Sequence, residues 1–415
     1  MGLNDTPVSE RIQIGFFGCT NAGKSSLINA LTGQDVSVVS EKKGTTTDPV
    51  LKTMELGDLG PVAVIDTPGL DDDSDIGELR VKRSNEIFNR TDIAVIVIDA
   101  QDKSETSKEF LKDFIKRCES AGKPYVLAAN KSEGIKEDIT GFGREPVYVS
   151  AFEKTGLTEL KKAIIAAGRD VKKRHEERLM VSDLINPGDT VVLVIPIDES
   201  APKGRLILPQ QQVIRDVLEA GGNAVCIKDT ELKEYFERHP DWCDPSKDDI
   251  TRPALVVTDS QVFKETDGIV PEHIPLTSFS IIMARYKGTL FPQVTGAKVI
   301  DTLEDGDTVL VAEGCTHHRH CEDIGTVKLP RLLAKYTGKK INIETSSGHG
   351  YPEDLSKYKL ILHCGGCMLN EKEMQSRLMT AEEKKDPITN YGISIAYMNG
   401  ILDRSIAPLP EIEDL

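Results

Sequence analysis

The chain lacks any run of about 20 apolar residues, so nothing in it reads as a helix that crosses a bilayer, and no membrane partner is expected. It also lacks a basic excess. Lys and Arg number 51 against 67 Asp and Glu, a net charge of −16, which argues against nucleic acid as a main partner because a phosphate backbone needs a basic surface. The start, Met1-Gly-Leu-Asn-Asp, lacks the basic-then-apolar pattern of an export signal, and a cytoplasmic location is expected. Without export, the eight cysteines should stay reduced, so metal binding is favoured over a disulfide framework. No internal repeat and no low-complexity segment is evident.

The sequence does carry regular alternation. Over the first 170 or so residues, short apolar runs at 12–17, 62–65, 94–98, 125–128 and 147–149 read as strands, and amphipathic stretches such as 108–118 and 157–167 read as helices. This is the βαβ pattern of a doubly wound sheet. The charged run 169–178 reads as the end of a helix and a linker. Beyond it, strands at 190–195, 224–227 and 254–258 with helices at 210–220 and 231–237 read as a smaller α/β unit, in which Cys226 is expected to pack in the core. The whole chain is therefore expected to be α/β, with a doubly wound sheet at 8–170 and two smaller α/β domains at 171–266 and 267–415.

Gly18-Cys-Thr-Asn-Ala-Gly-Lys24-Ser25 matches G-x-x-x-x-G-K-[ST], follows an apolar strand and opens a helical stretch beginning at Ser26. The amides of Gly18, Ala22 and Gly23 would form a concave nest for phosphate, Lys24 would reach the β- and γ-phosphates, and Ser25 would ligate magnesium. Asp66-Thr-Pro-Gly69 ends the next strand. Asp66 would contact magnesium through water, and the Gly69 amide would sense the γ-phosphate. Asn130-Lys131-Ser-Glu133 resembles the guanine-reading Asn-Lys-x-Asp of GTPases, with Glu in place of Asp, and Ser150-Ala151 resembles the fifth GTPase motif. Four motifs in order at strand ends predict GTP as the nucleotide and make the doubly wound sheet at 8–170 a P-loop GTPase domain.

Asn21 inside the loop, Leu70 after Asp-Thr-Pro-Gly and Lys43-Gly-Thr-Thr-Thr-Asp48 resemble the Era and tRNA-modifying GTPase class. That resemblance implies a potassium ion bound partly by Asn21, which offsets charge developing between the phosphates. It also implies a magnesium-binding switch threonine at Thr46, with Thr45 or Thr47 as alternatives. With Leu70 unable to orient water, hydrolysis is expected to be slow and potassium-stimulated.

At the other end, Cys315-Thr-His317 follows the apolar run 307–312, and His363-Cys364-Gly-Gly-Cys367 follows 358–362. If these runs are neighbouring parallel strands, both loops leave the sheet at one edge. Cys315, Cys364 and Cys367 then supply three thiolates to a soft metal group, either an iron–sulfur cluster or zinc. Candidates for the remaining corner are His317, Cys321, Glu322, His320 and His363. The two glycines should leave backbone amides near sulfur.

A GTPase of this subclass joined to these cysteine segments resembles the HydF family, the GTPase scaffolds of [FeFe]-hydrogenase maturation. So do the stretches Pro202-Lys-Gly-Arg-Leu-Ile-Leu-Pro-Gln-Gln-Gln, Leu276-Thr-Ser-Phe-Ser and Ala284-Arg-Tyr-Lys-Gly. The resemblance implies a dimerisation-type domain at 171–266, a homodimer, and a cluster domain at 267–415 holding a [4Fe–4S] cluster on Cys315, Cys364 and Cys367. Glu322 is favoured as a weak fourth ligand, and a transient [2Fe] precursor would attach there. Implied partners are the radical enzymes HydE and HydG and apo-[FeFe]-hydrogenase. The alternative reading is a zinc-stabilised Era-like GTPase of RNA modification or ribosome assembly.

Overall fold

The structure, a computed structural model, describes residues 6–33, 51–69, 77–134, 139–197, 206–247, 251–314, 324–348, 351–352, 354–384 and 386–412. The chain divides into two compact units, Met1–Glu177 and Arg178–Leu415. Among the described residues no helix is long and apolar enough to cross a membrane.

Strands of the first unit are β1 (Ile12–Phe17), β2 (Leu51–Glu55), β3 (Pro61–Asp66), β4 (Ile93–Asp99), β5 (Tyr125–Asn130) and β6 (Val147–Tyr148). They form one sheet in the order β2-β3-β1-β4-β5-β6, parallel except for β2. Residues of β1, β4 and β5 are buried along nearly their whole length because both faces are covered, which is why they read as continuous apolar runs. Strand β2 escaped the sequence reading. Leu-Lys-Thr-Met-Glu is an edge strand with mixed polarity, and its Lys52 folds back to Asn29 Oδ1 at 2.6 Å. The charged run 169–178 is largely a helix, Arg169–Glu176, that buries Val171 and ties Lys172 to the carbonyl of Asp58.

The second unit holds two four-stranded sheets. The first comprises β7 (Thr190–Val194), β8 (Asn223–Ile227), β9 (Leu255–Thr258) and β10 (Leu276–Ser278), ordered β10-β9-β7-β8. The second comprises β11 (Thr308–Glu313), β12 (Asn342–Ser347), β13 (Leu360–His363) and β14 (Ile388–Asn390), ordered β12-β11-β13-β14. Strand β10 belongs to the first of these sheets, so that sheet runs past the boundary expected at 266/267. Cys226 sits exposed on edge strand β8, not in the core, because an edge strand has one side open to solvent.

Both sheets follow one plan, contrary to the absence of a repeat expected from the sequence. Each is fully parallel and reads second-first-third-fourth from one edge, and the registers coincide. Thr190 faces Asn223 as Thr308 faces Asn342, Val191 faces Leu255 as Val309 faces Leu360, and Leu276 faces Val256 as Ile388 faces Ile361. The turn into the first strand is repeated in detail. Gly188 and Gly306 have φ of 93° and 92°. Asp189 and Asp307 each accept a backbone N–H from three residues before, at 2.7 and 2.8 Å. Asn223 and Asn342 donate to the carbonyls of Gly188 and Gly306, at 3.0 and 2.8 Å. After the fourth strand, Ser278 and Asn390 cap the helices Phe279–Tyr286 and Tyr391–Met398.

The halves interlock. Ile393 and Ala396 of the second half bury in one core with Val192, Val256 and Leu276 of the first. Asn390 donates to the Ser280 carbonyl at 3.4 Å across that junction, and Gly392 lies so close to Ser280 and Ser260 that a Cβ would strike their side chains. Shared apolar burial thus makes one unit of two sheets.

Candidate functional site

The P-loop turns between β1 and the helix Lys24–Thr32, at the carboxyl ends of parallel strands where open α/β sheets hold ligands. Its bend uses positive φ at Asn21 (63°) and Gly23 (85°). A Cβ at Gly23 would run into the Asn130 amide, so only glycine fits. Lys24 is 7% exposed and donates from Nζ to the carbonyls of Gly18 and Cys19, both at 2.9 Å. Ala22 is buried, while Ser25 and Ser26 are exposed at the start of the helix.

Ser25 Oγ donates to Asp66 Oδ2, bringing together the two residues expected at magnesium. Asp66 Oδ1 is buried with no hydrogen-bond partner among the described residues. An orphaned carboxylate oxygen costs about 1–3 kcal/mol, and a hydroxyl beside a carboxylate is the oxygen donor set of a hard divalent cation. The site therefore fits magnesium. Gly69 lies against the loop, where a Cβ would stand 3.0 Å from Thr20 N and Cα. Thr46, its neighbours Thr45 and Thr47, and Leu70 lie outside the described residues.

Asn130 binds three motifs together. Its Nδ2 donates to the Ala22 carbonyl at 3.0 Å, and its Oδ1 accepts from Ala151 N at 3.1 Å. Glu133 accepts from Ser150 Oγ, and Ser150 Oγ in turn accepts from Glu153 N at 2.8 Å. Lys131, held at φ 59°, pairs with Asp99 Oδ2 at 2.6 Å. Asp99 was not picked out from the sequence. Its only signal there is its place at the end of an apolar strand, β4.

In the second unit, β11 and β13 are parallel neighbours with Ala312 opposite His363, so the chain leaves both at the same edge, as expected. Cys364 N donates to the Ala312 carbonyl at 2.8 Å. The Cys364 sulfur accepts N–H from Gly314 at 3.0 Å and from Gly366 at 3.4 Å. Burial pushes the Cys364 thiol up, and these two amides pull against it by favouring a thiolate. Gly366 has φ 61°, and a Cβ there would stand 2.7 Å from Met374 Sδ, so the turn depends on glycine. Cys367 is partly exposed.

Cys315, His317, His320, Cys321 and Glu322 lie outside the described residues. Among the described residues, no three His, Cys, Asp or Glu side chains stand grouped to hold a metal. Gly314, the covalent neighbour of Cys315, is nevertheless in direct contact with the Cys364 sulfur. Two sulfurs in one turn, with amides aimed at one of them, are a donor set that fits a thiolate-bound metal group.

Both ring nitrogens of His363 are engaged by its neighbours. It is fully buried, and burial above all pushes its imidazole down to about 3, so the ring is neutral. Arg377 Nη1 donates to Nε2 at 3.0 Å, which leaves Nδ1 to donate to the Cys364 carbonyl at 2.7 Å. Both nitrogens are committed. Arg377 also donates to Gly348 O at 3.0 Å and Glu373 Oε1 at 2.9 Å, and lies over the Tyr351 ring. Nothing in the sequence marked Arg377, which sits mid-helix among other charged residues.

Three family models match this chain. One, described as 50S ribosome-binding GTPase, matches residues 13–131. A second, described as Hydrogen maturase F dimerization domain, matches 180–288, and a third, Hydrogen maturase F tetramerization domain, matches 291–408. The last two meet where the repeated halves of the second unit meet. Among curated relatives, the tRNA modification GTPase MnmE of Aquifex aeolicus is 34% identical over 161 residues, 38% of this chain and 35% of that protein. The GTPase Der of Kosmotoga olearia is 32% identical over 169 residues, 36% of this chain and 37% of that protein. The chain thus spans little more than a third of the length of these relatives. Among solved structures, the FeoB G-domain from Methanococcus jannaschii shares 30% identity with a TM-score of 0.28, covering 38% of this chain and 97% of that one.

Proposed function

This chain belongs to the hydrogen maturase F family, and we propose that it is a GTP-hydrolysing scaffold that assembles or delivers the [2Fe] precursor of the [FeFe]-hydrogenase active site. In this reading a [4Fe–4S] cluster is held by Cys315, Cys364 and Cys367, with Glu322, His317 or Cys321 at the remaining corner. The observation that carries it is the Cys364 sulfur, which takes amide donors both from its own turn and from Gly314 beside Cys315. When bound, the cluster would supply an iron corner to which the precursor attaches. The protein's own part is to fix two sulfurs in a glycine turn and to keep His363 neutral beneath them.

In the first unit, Lys24 would bind the β- and γ-phosphates, with Ser25, Asp66 and Thr46 around magnesium and Asn21 at potassium. Asn130, Lys131 and Glu133 would read guanine, supported by Ser150 and Ala151. The two ions would offset charge on the phosphates. The switch segment at 44–48 would then bias binding to HydE, HydG and the apo-hydrogenase, rather than take part in the iron chemistry. The dimerization and tetramerization matches support self-association, here proposed as a homodimer, and a cytoplasmic setting suits its reduced thiols.

Anaerobic reconstitution of the full chain with iron and sulfide tests this reading. The expected product is brown, holds iron in proportion to protein, and loses it in Cys364→Ser and Cys367→Ser. A colourless protein that retains zinc overturns it in favour of a zinc-stabilised GTPase. GTP hydrolysis should be faster in potassium than in sodium, and equal rates remove the potassium assignment.

A further inference from the structure

The stretch Ala284-Arg-Tyr-Lys-Gly has no part in the reactions described so far, yet it contains one of the largest fully buried side chains in the molecule. Lys287 is 2% exposed, at the end of the helix Phe279–Tyr286 in the first half of the second unit. An ammonium is costly to bury unless its charge is met by well-placed acceptors. Two of its acceptors lie in the other half, the carbonyls of Gly366 and of Leu369, the latter at 3.0 Å. These carbonyls bracket Cys367. The turn between them is closed by Leu369 N donating to Gly366 O at 2.9 Å.

The clamp exists because the halves interlock. The equivalent residue in the repeat, after the helix Tyr391–Met398, is Asn399, whose side chain only returns to its own helix at Ile395 O, 2.8 Å away. Lys287 is therefore an element of the metal-binding edge supplied by the half that has no cysteine turn.

We propose that Lys287 is a positioning residue for the metal site: it fixes the Gly366–Leu369 backbone so that the Cys367 sulfur is presented alongside that of Cys364. This rests on the reading that Cys364 and Cys367 ligate a metal group. The clamp is made to carbonyls, so it acts on geometry and on the field at the site. Supporting contacts one step removed from the ligands typically change metal affinity by about 10–100-fold.

The test uses the full chain reconstituted anaerobically with iron and sulfide. Iron release to a chelator and the electron paramagnetic resonance of the dithionite-reduced protein are followed in the parent, Lys287→Met and Lys287→Arg. Expected are release about 10-fold faster in Lys287→Met, a changed spectrum, GTP hydrolysis as in the parent, and recovery in Lys287→Arg, which keeps a cation able to donate to both carbonyls. Parent-like release and spectrum in Lys287→Met overturn the proposal, as does an arginine variant no better than the methionine one. If Lys287→Met does not fold, Lys287→Gln against Lys287→Arg decides by the same two readouts. Cys364→Ser in the parent background separates the two failures. If it leaves iron unchanged, the cluster reading falls and this one with it. If it removes iron while Lys287→Met changes nothing, this inference alone falls.

Discussion

Two halves of the second unit share strand order, register, entry turn and helix cap, yet of their matched third strands only one ends in a cysteine turn. At the end of β9 stands Thr258-Asp259-Ser260-Gln261, where Asp259 accepts from Gln261 N at 3.0 Å and starts a short helix. At the end of the corresponding β13 stands His363-Cys364-Gly365-Gly366-Cys367, with amides aimed at sulfur and a neutral buried imidazole behind it. The scaffold is common to both, and what sets them apart at the matched strand ends is five residues that include two cysteines. This is the sense in which activity is grafted onto a fold rather than implied by it.

The largest expected effect breaks the comparison at that strand end. Cys364→Ser or Cys367→Ser should abolish iron retention after reconstitution, measured as iron per chain. Asp259→Ala, at the equivalent place, should retain full iron and cost only about 1 kcal/mol of stability as a lost cap. Iron loss from Asp259→Ala would show that the halves are not functionally distinct.

Next in size is a change in the remaining sheet, whose GTPase motifs stand at the strand ends. Lys24→Ala should slow GTP hydrolysis by about 100-fold or more, the scale of removing one preorganised donor from developing charge. Iron content should not change, because the GTPase motifs and the cysteine turn lie on separate sheets. Simultaneous loss of iron would contradict that separation.

A third pair of variants measures how alike the halves are. Gly188 and Gly306 both sit near φ 90°, where a Cβ costs about 1–2 kcal/mol. Gly188→Ala and Gly306→Ala should therefore destabilise equally in denaturant titrations. The caps should differ. Ser278→Ala loses one cap, about 1 kcal/mol, whereas Asn390→Ala also strands Gln293 Oε1 in the core and should cost about 1–3 kcal/mol more.

The sequence made some of this comparison legible and hid the rest for physical reasons. Strands β1, β4 and β5 were readable because burial on both faces demands unbroken apolar runs, and the cysteine turn because metal ligands need particular atoms. The repeat was not readable. Its shared residues are few, chiefly Gly-Asp-Thr-Val at 188–191 and 306–309, and loops of different length between strands shift the offset from one match to the next. What the fold preserved was register and hydrogen bonding, which many sequences satisfy. Lys287 and Arg377 were hidden for a further reason: their partners lie on other elements, and a cation in a helical stretch reads as solvated surface.

The smallest expected effect separates the halves at matched helix positions, Arg285 and Tyr397. Tyr397 donates to Asp301 Oδ2 at 2.5 Å, a contact near the surface. Arg285 is 7% exposed and donates through two nitrogens to Asp183 at 2.8 and 2.5 Å, to Glu411 Oε1 at 2.8 Å and to the Met180 carbonyl at 2.7 Å. Burial works to raise the Asp183 carboxyl, but the hydrogen bonds and charge of Arg285 outweigh it and hold the group below its ordinary value of 3.8. The unfolded chain therefore takes up this proton first as pH falls. The stabilisation is complete well above 3.8 and drains away as pH drops below 3.8 through the folded value. In thermal melts of the full chain between pH 5 and pH 3, about the range in which carboxylates titrate, Arg285→Met should lose more stability at the upper end than at the lower, narrowing its gap from the parent. Tyr397→Phe should shift the melt by a small and nearly constant amount. A gap for Arg285→Met that stays constant with pH would mean that the guanidinium serves as packing, and that charge does not distinguish the two halves here.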